Sequence, residues 1–132
     1  MSEEAVDVVL YCADKDRRKA IIEGAGRRVE KGAPPINWVE TATAPGALTE
    51  VERLRPPVVV LDADVPKVGG MAVAQDIVNE LELHPVIVLL TARPQDDWLA
   101  TWSGADFTIL APYDPIEVQQ ALAKALAKAR VK

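Results

Sequence analysis

Short apolar runs separated by helix-compatible stretches set the rhythm of this chain. Five such runs occur: Val6 to Tyr11, Ile36 to Val39, Val58 to Leu61, Val86 to Leu90 and Phe107 to Leu110. The first, third and fourth are almost continuously apolar, which suits strands buried on both faces and predicts the middle of a parallel sheet. The second is shorter and more polar and predicts an edge. Helix signals fill the gaps. Asp14 is placed to cap a helix through Arg18, Ile21 and Ile22, and Pro45 fits a first helical turn ahead of Leu48, Val51 and Leu54. Pro56-Pro57 stops that helix, and Gly70 opens another with Val73, Ile77, Val78 and Leu81 on one stripe. Asp114, followed by Pro115, predicts the N-terminus of a last, alanine-rich helix. Strand and helix therefore alternate five times. This predicts an α/β fold with a parallel sheet, right-handed crossovers and helices on both faces.

Composition changes this picture only by exclusion. At 132 residues the chain reads as one domain, its core spanning about 6–127, with no effector domain expected. A net charge of −5 argues against nucleic acid as a direct partner. The clustered cations, Arg17-Arg18-Lys19 and Lys124, Lys128, Arg130 and Lys132, read as solvated helix faces. The single cysteine, Cys12, excludes an intrachain disulfide and fits a reducing compartment; its simplest role is a small buried hydrophobe. No apolar stretch approaches ~20 residues and no secretory signal begins the chain, so a cytoplasmic location without a membrane span is expected.

Candidate chemistry gathers where the apolar runs end. Val58-Val59-Val60-Leu61 closes in Asp62, which places a carboxylate at the carboxyl edge of the sheet, where open α/β folds put their sites. Thr91 closes the fourth run in the same way. His84, next to Pro85, reads as a loop residue.

These residues, in this order and spacing, resemble the receiver domain of bacterial response regulators over nearly the whole chain. Asp62 with Pro66 and Gly70 resembles the phosphoacceptor strand and its turn. Val86 to Ala92 resembles the fourth strand with its switch Thr91, and Gly104-Ala105-Asp106 and Ala111-Pro112-Tyr113 resemble the segments that flank the fifth strand. The resemblance implies a flavodoxin-like (CheY-like) doubly wound sheet of order 2-1-3-4-5 flanked by five helices.

It also shows what is missing. An aspartate that attacks a phosphoryl group needs Mg²⁺ and a lysine to neutralise the gathering charge. The family's acid pair falls on Cys12-Ala13, neither of them a useful Mg²⁺ ligand, and its lysine falls on Ala111. The expected function is thus an atypical, stand-alone receiver, not an enzyme, that signals through protein contacts with phosphorylation at Asp62 weakened or lost. No cofactor is required on this reading. Mg²⁺ would enter only with Asp14, Asp62 and Asp64 as substitute ligands, and that arrangement would make a working phosphoacceptor, the second reading. A third reading is a small-molecule sensor at the same sheet edge. Against it, Cys12-Ala13-Asp14-Lys15-Asp16 offers acids where a glycine-rich phosphate loop would be needed.

Trp98 and Trp102, four apart, would share one face of a helix and, with Tyr113, form a candidate partner surface. The resemblance implies that the fourth helix, fifth strand and fifth helix meet a partner, either a sensor kinase or downstream regulator, or a second copy of the chain.

Overall fold

The structure is a computed structural model that describes residues 4–63, 69–94 and 104–131. Its centre is a five-stranded parallel sheet of order β2-β1-β3-β4-β5. The strands are β1 (Val6–Tyr11), β2 (Ile36–Thr41), β3 (Val58–Asp62), β4 (Val86–Thr91) and β5 (Phe107–Leu110). Of the three apolar runs read as central, β3 and β4 are buried at every residue, and β1 from Val8 to Tyr11. β2 lies at an edge as its polarity predicts, with Asn37 and Glu40 exposed.

Four helices are described: α1 (Lys15–Ala25), α2 (Ala44–Leu54), α3 (Gly70–Asn79) and α4 (Pro115–Val131). The fifth expected helix, with Trp98 and Trp102, falls at 95–103 and lies outside the described residues. Successive strand residues point to opposite faces, which divides the core in two. Leu10, Val58, Val60, Val88 and Leu90 pack toward α1 and α4, against Ile21, Val118 and Leu122. Val9, Val59, Leu61, Ile87 and Leu89 pack toward α2 and α3, against Val51, Val73 and Ile77.

The helix ends are built as their residues suggest. Asp14 caps α1, its carboxylate accepting from the backbone N–H of Asp16 and Arg17. Thr43 caps α2 through Gly46 N–H, and Asp114 caps α4 through Ile116 N–H at 2.8 Å. α2 ends at Arg55, whose left-handed φ of 47° turns the chain into Pro56. Gly70 has a different duty. A Cβ there would stand 2.8 Å from the carbonyl oxygen of Asp62, so only glycine lets α3 start this close to the end of β3. No described helix is long and apolar enough to cross a membrane.

Candidate functional site

Asp62 is the last residue of β3, flanked by β1 and β4, and its side chain is 1% exposed. A carboxylate this deep must be matched by donors, because stripping its water without replacement costs several kcal/mol or more. Two donors converge on Oδ2. The Arg17 guanidinium donates from Nη1 at 2.7 Å, and the Cys12 thiol donates from Sγ at 3.3 Å.

Local structure explains why these two arrive. Cys12 follows β1 directly, its backbone N–H bonded to the Thr41 carbonyl, so its side chain sits beside the end of β3. The Asp14 cap starts α1 immediately afterwards, which puts Arg17 in the first turn of a helix lying along that edge. Arg17 is four residues before Ile21, and Ile21 is fully buried against the sheet, so both occupy the inward stripe. The guanidinium is only partly buried, with 24% of the side chain exposed. Its carbon stem and charged head bridge from solvent to the carboxylate.

Arg17 is the residue that sequence reasoning missed. Its run with Arg18 and Lys19 reads as a solvated face, and the structure corrects this for both arginines. Arg18 donates to the Cys12 carbonyl at 2.6 Å and to Glu40 at 3.3 Å. Lys19 alone matches the expectation: it is exposed and pairs with Glu23, one turn on. The signal that could have found Arg17 was the spacing Arg17, Ile21, Gly24 on one helical stripe.

The electrostatics follow from the geometry. Burial pulls the Arg17 guanidinium toward a lower pKa, but the hydrogen bond and negative charge of Asp62 outweigh it and raise the pKa. Burial, with the Asp62 charge next, pushes the Cys12 thiol up to about 12. Cys12 therefore stays protonated at neutral pH. It serves as a weak donor to the carboxylate and is poorly suited to act as a nucleophile or metal ligand.

Tyr113 and Thr91 complete the edge. The Arg17 guanidinium lies 5.7 Å from the centroid of the Tyr113 ring, within cation–π range. The Tyr113 hydroxyl donates to the Thr91 carbonyl at 3.2 Å. Tyr113 is thus buried, at 8% exposure, and this corrects its place in an open partner surface: the ring is covered by Arg17 and its polar tip is tied to β4. Thr91 ends β4 fully buried, and its Oγ1 has no hydrogen-bond partner among the described residues. Ala111, where the resemblance places a lysine, contributes a methyl group to the packing around α4.

Among the described residues the donor set does not fit a Mg²⁺ site. Asp62 is engaged by a guanidinium and a thiol, the Ala13 side chain has no ligand atom, and the Asp14 carboxylate is occupied as a helix cap. No group of three acids, histidines or cysteines able to hold a metal occurs among the described residues. Asp64, the remaining expected ligand, lies outside them, as do Trp98 and Trp102. His84 is exposed in the loop before β4, as read.

No family model matches the chain. A response regulatory protein of Mycobacterium tuberculosis, uncharacterized and present in two strains, is 33% identical over 115 residues, covering 87% of this chain and 86% of its own length. Among solved structures, a signal receiver domain from Vibrio parahaemolyticus superposes with a TM-score of 0.82 at 18% identity, covering 97% of this chain and 95% of its own. The chemotaxis protein CheY4 of Vibrio cholerae gives 0.75 at 16% identity, over 92% and 99%. At these identities the structural matches speak for the fold.

Proposed function

Because the chain belongs to the response-regulator receivers of signal transduction, we propose that it is an atypical receiver in which Arg17 takes the place of metal and lysine. It signals through protein contacts, with a sensor kinase, a downstream regulator or a second copy as partner. Phosphorylation at Asp62 is weakened or lost. The observation that carries this reading is the 2.7 Å contact of Arg17 with a carboxylate that is 1% exposed.

The chemistry is a matter of which cation neutralises one carboxylate. A phosphoacceptor carboxylate must offer an oxygen lone pair to phosphorus while cations gather the charge that develops. Here a permanent cation already neutralises the carboxylate in its ground state, and the thiol adds a second donor to the same oxygen. Stabilising the ground state without matching stabilisation of the transition state slows a reaction. Thr91, the candidate switch, then has no phosphoryl group to move toward.

Acetyl phosphate with Mg²⁺ is expected to leave the intact mass and the amide spectrum around Asp62 and Thr91 unchanged. A phosphoryl adduct that Asp62→Asn abolishes would overturn this and establish the working phosphoacceptor instead. Replacing Cys12 by Asp and Ala111 by Lys is expected to bring the adduct back only when Arg17→Met is added.

A further inference from the structure

At the end of the sheet opposite Asp62, where the strands begin, the surface carries an arrangement that the receiver reading leaves unused. Three hollows of about 230, 180 and 100 Å³ lie there and share walls. Pro57 and Ala129 belong to both the largest and the smallest; Pro34, Leu126 and Arg130 belong to both the smallest and the third. They form one groove that runs from the turn after α2, past the last turns of α4, to the loop before β2. Its middle is walled by Val6, Pro34, Pro57, Leu126 and Ala129, all apolar, together with Arg130.

The charges along it run against those of the whole protein. Lys31, Arg55 and Arg130 line the groove, with Glu30 the one carboxylate among its lining residues. None of these three cations makes an ion pair among the described residues. The chain as a whole carries −5. Arg55 also holds a left-handed backbone, φ 47°, a conformation that is unfavourable for a residue with a Cβ. That conformation places it on the groove, between the end of α2 and Pro56.

We propose that this groove docks a linear segment of a protein partner that alternates acidic and aliphatic side chains. The prolines of the wall offer no N–H, so strand addition is not the mode of recognition. Aliphatic side chains fill the apolar middle and carboxylates meet Lys31, Arg55 and Arg130. No Phe, Tyr or Trp lines the groove to stack a nucleic-acid base. Ile116, the one large hydrophobic residue standing well exposed among the described residues, is not among the groove's lining residues, so nothing there would insert into a bilayer.

The test is fluorescence anisotropy with a labelled decapeptide of alternating Glu and Leu, followed by amide shift mapping on the whole chain. Saturable binding is expected, with shifts concentrated on Val6, Arg55 and Ala129. Arg55→Asn combined with Arg130→Gln is expected to weaken it about tenfold, the sum of two exposed charge contacts. Asparagine tolerates the left-handed backbone, and an unchanged circular dichroism spectrum confirms that the variant folds. Equal binding of the variant, or shifts clustered at the Asp62 edge, would overturn the proposal. So would equal binding of a decapeptide with Lys for Glu, of a single-stranded oligonucleotide, or of phosphatidylserine vesicles. None of these outcomes bears on phosphorylation, so failure here leaves the Asp62 reading intact.

Discussion

Two neighbouring interior strands, β3 and β4, both end in a buried polar side chain, and the protein treats the two ends in opposite ways. At the end of β3, Asp62 is 1% exposed and its carboxylate receives a guanidinium and a thiol. At the end of β4, Thr91 is fully buried and its hydroxyl receives nothing among the described residues. The difference reflects the size of the two penalties. A buried charge without partners costs so much that it would neutralise or unfold the site, whereas an unpaired hydroxyl costs roughly 1–3 kcal/mol, which a folded domain can carry. A carboxylate buried at the end of β3 therefore requires a cation nearby. The hydroxyl at β4 forces nothing.

Breaking the β3 end should give the largest effect. Arg17→Met strands the carboxylate and is expected to lower stability by about 2 kcal/mol, less than the 3–5 of a fully buried pair because Arg17 is partly in water. Asp62→Ala should cost less, about 1 kcal/mol, since the released guanidinium can turn to solvent. Urea denaturation of both variants measures the asymmetry. Equal losses, or a loss under ~0.5 kcal/mol for Arg17→Met, the range of an ordinary surface change, would mean that the ion pair is not what holds the strand end.

The β4 end should respond with the opposite sign. Thr91→Val keeps the shape and removes the unpaired hydroxyl, so stability is expected to hold or to rise by up to ~1 kcal/mol. A clear loss in urea denaturation would show that the hydroxyl is bonded in solution and that the two ends are more alike than the structure makes them.

The sheet was legible because its signals are local and repeated. Continuous apolar runs marked β3 and β4, polarity marked β2, and the caps Asp14 and Asp114 followed from residue type alone. At the site the sequence showed the carboxylate and what it lacked at Cys12, Ala13 and Ala111. It did not show the substitute. Arg17 lies 45 positions from Asp62 along the chain, and an arginine within a basic run is read as solvated unless its helical stripe is followed to Ile21. Tyr113 was misplaced for a related reason. A family surface position says nothing of a φ of 62° or of a hydroxyl bonded to Thr91.

The smallest effect appears only in alkali and concerns the thiol, the weaker of the two donors to Asp62. Cys12 titrates near 9.0 as a free side chain and is pushed up to about 12 in the fold, by burial first and by the Asp62 charge second. The folded state thus holds this proton more tightly than the unfolded state. Stability from it is fully present below pH ~9 and is lost progressively as pH rises toward 12. Tyr11, raised by burial and by the same carboxylate, adds to the loss in the same direction. Cys12→Ala removes the thiol share, so its urea midpoint should fall less steeply between pH 9 and 11 than that of the unaltered protein, while below pH 8 the two profiles run parallel. Equal slopes across that window would show that the fold does not hold the thiol proton, leaving Arg17 to satisfy the end of β3 without it.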